Sequence, residues 1–257
     1  MSEAGSTDRS LPRVRGVLLD IDDTLLDTRS AFVTAIDAVA DAYLPHLTTA
    51  ERTQALGVWR ADTRGFYRRH TTGELTADEQ RRLRAVELHE RFGGPAVDEA
   101  FYPEWNGTFR AGFEAGWVLH RDVAGLLTWL AGTDLAVGLL TNAPLALTRR
   151  KLERTGLGDD VRLLLTLDTF GFGKPDARVF LEGCRLLGTS PGETLYVGDG
   201  LDVDGLGASG AGLQAVWLDR PGARRGGVHL EDPAVAREAG VAVVRGLDEL
   251  PALLEAV

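Results

Sequence analysis

The sequence contains one cysteine, Cys184, among 257 residues. No disulfide can form within the chain, so its fold must be held by burial alone. Cys184 sits among Phe180, Leu181, Leu186 and Leu187 on a helix-like stretch. A small buried apolar residue is expected there, not a nucleophile. Such sparing use of cysteine suits a reducing compartment. Long apolar runs are also missing, and none approaches the roughly 18 residues that span a bilayer. Residues 1–12 are polar and lack the apolar segment of a secretory signal. Residues 1–13 therefore read as a disordered lead-in, and the expected location is cytoplasmic. Positive charge is short too. With 28 Lys and Arg against 38 Asp and Glu, the formal net charge is −10. An acidic surface disfavours nucleic acid and anionic membranes as partners. A monomer or a homodimer is expected.

What is present alternates. Apolar, β-branched runs occur at Val14–Asp20, Leu135–Leu140, Val161–Leu167, Thr194–Val197, Leu213–Leu218 and Val241–Val244. Each reads as a buried strand. Helical spacing fills the gaps at Arg121–Leu130, Pro144–Arg154, Asp176–Leu187 and Leu247–Leu254. This pattern predicts an α/β fold, a Rossmann-like parallel sheet flanked by helices. Residues 27–118 break it, because no strand is evident there. Four helical stripes run through them, marked by Phe32/Ile36/Val39/Tyr43, Leu56/Trp59/Tyr67, Leu83/Val86/Phe92 and Phe101/Trp105/Phe109. The expected organisation is a core of residues 14–26 and 119–257, with a helical domain of residues 27–118 inserted after the first strand.

Polar residues gather where the strands end, which is where sites form in parallel sheets. The first strand runs into Asp20-Ile21-Asp22-Asp23-Thr24. A turn after Ile21 would bring Asp20 and Asp22 into one pocket. One carboxylate could then attack phosphorus while the other moves protons. A solvated acidic turn would look the same. The next apolar strand ends in Thr141-Asn142, able to bind a phosphoryl oxygen or to start a helix. Gly198-Asp199-Gly200-Leu201-Asp202-Val203-Asp204 could hold Mg²⁺ together with Asp20, since oxygen ligands suit a hard cation. It could equally be a capping turn. Lys174, in Gly173-Lys174-Pro175-Asp176, could supply a fixed positive charge, with Pro175 at the first helical position.

These four pieces, in this order, resemble the motifs of the haloacid dehalogenase superfamily of hydrolases, subfamily I, with a type-one helical cap. The resemblance covers residues from about 14 to the end, apart from the insertion, where only position and helical character agree. It implies a magnesium-dependent phosphatase of a small phosphorylated metabolite, working through an aspartyl-phosphate. Asp20 would be the nucleophile and Asp22 the general acid and base. Thr141, Asn142 and Lys174 would bind the phosphate. Asp20, Asp22 through its backbone carbonyl, and Asp199 would hold the metal, with Thr24 and Asp204 in support. Asp23 would be a turn residue, and Asp202 could face solvent. A phosphomutase shares this machinery. A 2-haloacid dehalogenase needs no proton donor, so Asp22 speaks against one. A non-catalytic binding protein would usually have lost one of these residues.

The insertion is where substrate preference is expected. Arg60, Arg64 and Arg68 fall at i, i+4 and i+8, with Arg69 and Tyr67 beside them, on what reads as one helix. They form either a basic wall for an acidic substrate or a solvated face offset by acids such as Asp62 and Glu74. The solvated face is the expectation. Trp59, Trp105, Phe101 and Phe109 are expected to form the core of the insertion.

Overall fold

A computed structural model describes residues 13–157 and 162–255. The expected lead-in lies outside them except for Arg13. The chain begins with β1 (Gly16–Leu19). Five helices follow: α1 (Thr28–Tyr43), α2 (Thr49–Ala61), α3 (Phe66–Thr71), α4 (Ala77–Phe92) and α5 (Tyr102–Ala115). Strands and helices then alternate: α6 (Val123–Ala131), β2 (Ala136–Leu140), α7 (Leu145–Thr155), β3 (Leu164–Leu165), α8 (Leu167–Phe170) and α9 (Ala177–Leu187). The last third holds β4 (Thr194–Gly198), a single π-turn at Leu201–Gly205, α10 (Leu206–Gly210), β5 (Gln214–Leu218), α11 (Pro233–Glu238), β6 (Ala242–Val244) and α12 (Leu250–Glu255).

All six strands are parallel, in the order β3-β2-β1-β4-β5-β6. Every residue of β1 is buried, as a strand covered on both faces requires. Alternate side chains feed two cores. Val17 and Leu19 pack with the insertion and α6, whereas Leu18 packs with Phe180, Tyr196 and Trp217. Leu19 stands opposite Leu139 on one side and Val197 on the other. The carboxyl ends of β1, β2 and β4 therefore lie side by side. The order reverses between β1 and β4, and crevices in such sheets form at that point.

The strand read at Val161–Leu167 is much shorter than its apolar run. Only Leu164 and Leu165 pair, and Val161 lies outside the described residues. Thr166 instead starts α8, its N–H donating to Thr169 Oγ1 at 3.0 Å. The continuous helix read across Leu56 to Tyr67 is in fact two. The chain breaks at Asp62, which takes a left-handed φ of 44°, and Gly65 follows at 66°. The Asp62 carboxylate compensates by accepting from the N–H groups of Tyr67, at 3.0 Å, and Arg68, at 3.2 Å. The insertion thus has five helices, not four. Its other boundaries are written in capping boxes: Thr48 with Glu51 opens α2, and Thr76 with Glu79 opens α4. Trp59, Trp105 and Phe109 are buried at its centre, with Phe101 partly buried against them.

The chain enters and leaves the insertion along one path. Leu26 and Leu119 form an antiparallel bridge, and Asp27 N–H donates to Val118 O at 2.9 Å.

Candidate active site

The site is built on the ends of β1, β2 and β4. Asp20 directly follows β1, and its N–H bonds Val197 O at 2.9 Å. Its carboxylate is 6% exposed and accepts from Lys174 Nζ at 2.6 Å. Thr24 Oγ1 reaches the other oxygen at 3.3 Å. Lys174 also donates to Asp204 Oδ1 at 2.7 Å and to Tyr196 Oη at 2.7 Å. All three ammonium hydrogens are thereby used. Burial alone would lower the Lys174 ammonium, but Asp20 and Asp204 hold it above its ordinary value. Burial raises the Asp20 carboxyl to about 7, against the pull of Lys174 and with help from Asp204 and Asp22.

Two glycines make this closeness possible. A Cβ at Gly198 would strike the Asp204 side chain, and one at Gly173 would strike the Asn142 carboxamide. Asp204 is fully engaged, since Oδ2 accepts from Gly200 N–H at 2.9 Å while Oδ1 takes Lys174 and Tyr196.

Asp199 differs. Its side chain makes no hydrogen bond among the described residues, although its backbone carbonyl holds Trp217 Nε1 at 2.8 Å. Burial raises its carboxyl well above the ordinary value, and Asp23, Asp204 and Asp20 add to this against Arg225. Carboxylate oxygens of Asp20, Asp199 and Asp204 lie within 4.8 Å of one another. Asp204 is already committed, so Asp199 and Oδ2 of Asp20 are the oxygens of this group best placed to meet a hard divalent cation.

Thr141 is 2% exposed at the end of β2. Its N–H bonds Leu165 O at 3.0 Å, and its hydroxyl oxygen accepts from Ala143 N–H at 3.1 Å. Asn142 does not cap a helix, because α7 starts from Pro144. Its side chain grips the loop opposite, with Nδ2 donating to Lys174 O at 2.8 Å and Oδ1 accepting from Lys174 N–H at 2.7 Å. Pro175 precedes the helix instead of opening it. Asp176 is the N-cap, accepting from Arg178 N–H at 3.0 Å, and the Lys174–Pro175 bond is cis.

Asp22 is turned into the same crevice. Its Oδ1 accepts from Thr28 Oγ1 at 2.7 Å and from the ammonium of Lys151. Burial, the largest single influence, works to raise this carboxyl, but Lys151, Thr28 and Lys174 together hold Asp22 below the ordinary value. Asp23 makes the turn, at a left-handed φ of 58°. Asp202 faces His229 at 3.6 Å and Arg225 at 3.8 Å, not open solvent.

The structure joins Asp20, Lys174, Asp204 and Asn142 by direct hydrogen bonds, brings Thr24 to Asp20 and an oxygen of Asp199 within 4.8 Å of Asp20 and Asp204, and holds Asp22 separately through Lys151 and Thr28. The basic wall, the alternative to the expected solvated face, is not there. Arg60 reaches Asp23 at 3.4 Å and Ala223 O at 2.8 Å, Arg64 turns toward Glu87 and Glu90, and Arg69 pairs with Glu74. The broken helix scatters them, and acids offset the exposed Arg64 and Arg69. Three participants escaped the sequence reading: Tyr196, Lys151 and Thr28. Lys151 did carry a signal, because it shares the buried face of α7 with Thr148 and Leu152. A lysine on a buried stripe needs an anion.

A parallel sheet with carboxylates and a buried lysine at its switch point defines an α/β hydrolase class in which an aspartate stands at the end of the first strand. Residues 14–212 match the model of the haloacid dehalogenase-like hydrolases. The chain belongs to that family and is an enzyme of the hydrolase class. It is 29% identical over 255 residues to a phosphoserine phosphatase of Thermus thermophilus, covering 89% of this chain and 96% of the other. It is 28% identical over 255 residues to the N-acylneuraminate-9-phosphatase of Rattus norvegicus, covering 96% of each. The HAD-hydrolase YfnB of Bacillus subtilis, whose structure was solved bound to magnesium, shares the fold. It superposes with a TM-score of 0.72 at 24% identity, over 94% of this chain and 99% of that one.

Proposed function

We propose that the protein is a phosphatase that takes the phosphoryl group of a small phosphorylated metabolite onto Asp20. The observation that carries this reading is the contact of one buried lysine, Lys174, with both Asp20 and Asp204, beside an Asp199 whose side chain makes no hydrogen bond among the described residues. An anion is the ligand such a lysine serves, and the named activities of the two curated relatives favour a phosphomonoester.

In this reading an Asp20 oxygen attacks phosphorus and the bond from phosphorus to the leaving oxygen breaks. Asp22, which Lys151 and Thr28 favour in its ionised form and which must therefore first take up a proton, gives that proton to the leaving oxygen, releasing an alcohol. Water then attacks the phosphorus, the bond to Asp20 breaks, and Asp22 takes the proton of the water. Thr141 Oγ1 and the Asn142 N–H hold the non-bridging oxygens, joined by Lys174 Nζ once the substrate takes the place of one of its three present acceptors. Asp204 and Tyr196 keep the lysine aimed. Thr24 orients Asp20.

Mg²⁺ fits the donor set. The Asp20 and Asp199 side chains, whose oxygens lie close together, would hold it with the Asp22 backbone carbonyl; the YfnB structure of the same fold was solved bound to magnesium. Bound there, the ion would offset the repulsion between a dianionic ester and these carboxylates.

Residues 27–118 act as a cap over the leaving group, closing the crevice to water. The end of α3 supports this, since Thr71 O accepts from Gly173 N–H at 3.2 Å, next to Lys174. The enzyme works in the cytoplasm, as a monomer or a homodimer.

The test is a phosphate-release screen across a metabolite panel with Mg²⁺. At least one small monoester should release phosphate, and Asp20→Asn should abolish that release. Release by Asp20→Asn at the wild-type rate would reject the reading.

A further inference from the structure

Lys151 is the most buried cation outside the phosphate-facing group. It lies on α7, and its side chain is 2% exposed. A buried ammonium needs an anion, and among the described residues its single ion pair is with Asp22 Oδ1. Phe113 flanks it, the ring centroid 5.5 Å from Nζ. The same Asp22 oxygen also accepts from Thr28 Oγ1 at 2.7 Å. Thr28 is itself tied to the motif, because Asp23 N–H donates to Thr28 Oγ1 at 3.3 Å. Two donors, one from α7 and one from α1, thus converge on Oδ1. The second oxygen, Oδ2, makes no hydrogen bond among the described residues, and the Asp22 side chain is 30% exposed. The carboxylate is fixed at one oxygen and open at the other.

We propose that Lys151 is a positioning residue, which with Thr28 clamps Oδ1 of Asp22 so that Oδ2 faces the leaving oxygen of the ester. This rests on the reading of Asp22 as proton donor. Oδ1 can accept from Lys151 and Thr28 while Oδ2 carries the proton; a carboxyl free to rotate would present that proton in many orientations, and a misplacement of about 1 Å can lower the rate by about a hundredfold. Lys151 itself touches neither substrate nor phosphorus. Its action is to hold Asp22.

A positioning role has a signature that a general packing role lacks. Asp22 matters most when the leaving oxygen is basic, because a poor leaving group needs the proton. Phenolate is more basic than p-nitrophenolate. The experiment therefore compares single-turnover cleavage of phenyl phosphate and of p-nitrophenyl phosphate with Mg²⁺, in Lys151→Met, Thr28→Val, Lys151→Arg and Asp22→Asn. The ratio of phenyl to p-nitrophenyl rates should fall by about tenfold or more in Asp22→Asn and in Lys151→Met. It should fall by less in Thr28→Val, which removes the second donor and the acceptor of the Asp23 N–H but leaves Lys151 on Oδ1. Lys151→Arg, which keeps a cation and a donor, should restore most of it. If Lys151→Met does not fold, Thr28→Val and Lys151→Arg carry the comparison.

A wild-type ratio in folded Lys151→Met, or in Thr28→Val where Lys151→Met does not fold, overturns the proposal. The Asp22→Asn arm separates the two readings. If it too keeps the wild-type ratio, Asp22 is not the proton donor and the wider mechanism fails. If its ratio falls while that of Lys151→Met holds, only the role of Lys151 is rejected.

Discussion

Asn142 holds Lys174 by both of that residue's backbone groups, donating to its carbonyl at 2.8 Å and accepting from its N–H at 2.7 Å. The two residues belong to different loops, 32 positions apart, and the carboxamide locks one to the other. The side chain whose ammonium touches Asp20 is aimed through its own main chain. Asn142→Ala removes the clamp and leaves two partly buried backbone groups without their partner. Stability should fall by about 1–3 kcal/mol, and kcat should fall by about tenfold or more while the fold persists. Thermal melts with steady-state kinetics check both.

Tyr196 offers a milder perturbation of the same lysine. Its hydroxyl accepts from Lys174 and donates to Asp204 Oδ1 at 3.0 Å. Tyr196→Phe keeps the ring, which packs edge-on against Phe180 at 5.0 Å. The variant should stay folded with a loss of about 1–2 kcal/mol, and kcat should drop more than KM changes. An unchanged kcat would show that Asp204 alone positions Lys174.

Asp199 should separate metal binding from folding. Excess MgCl₂ should raise the wild-type Tm, since a ligand bound only to the native state stabilises it, and a chelator should reverse the rise. Asp199→Asn should melt at or above the wild-type temperature without metal, because it removes a buried carboxylate whose burial is unfavourable. It should show little further rise with MgCl₂. Differential scanning calorimetry with and without metal reads this out.

Much of this was legible in the chain. The run Gly16–Leu19 is apolar throughout because both faces of the sheet are covered, and polar residues begin where the strand ends, so Asp20 declared its place. The short spacing of Asp199 and Asp204 likewise confined both to one loop. Other features were not local. The grip of Asn142 on Lys174 joins loops that sequence spacing cannot bring together, and Asn142 read as readily as a helix cap. The helix across Arg60 and Arg68 failed because a left-handed Asp62 broke it, a backbone state that only its own carboxylate bonds stabilise. Lys151 looked like one more surface lysine until its helical phase was set beside a buried anion.

Acid should loosen the end of the sheet near Asp122. Arg220 bonds both oxygens of Asp122, at 2.8 and 3.0 Å, and also reaches Thr24 O at 3.0 Å. Burial works to raise the Asp122 carboxyl, but the bonds from Arg220 and Leu247 N–H hold it below its ordinary 3.8. A depressed carboxyl contributes stability fully above its unfolded value, and loses that contribution as pH falls through the folded one. Wild type should therefore exceed Asp122→Asn by about 1–3 kcal/mol at neutral pH. The gap should close as pH drops below 3.8, as urea titrations at several pH values would show. A gap that persists at the lowest pH would assign the effect to packing.

The central claim is that Asp20 carries the phosphoryl group. Acid-quenching the enzyme during turnover of p-nitrophenyl phosphate with Mg²⁺, followed by peptide mass spectrometry, tests it most directly. The account predicts one added phosphoryl group on the peptide Gly16-Val17-Leu18-Leu19-Asp20-Ile21-Asp22-Asp23 and its continuation, localised to Asp20 and missing from Asp20→Asn. Turnover in which no phosphoryl group is found on Asp20, with Asp20→Asn still active, would contradict it.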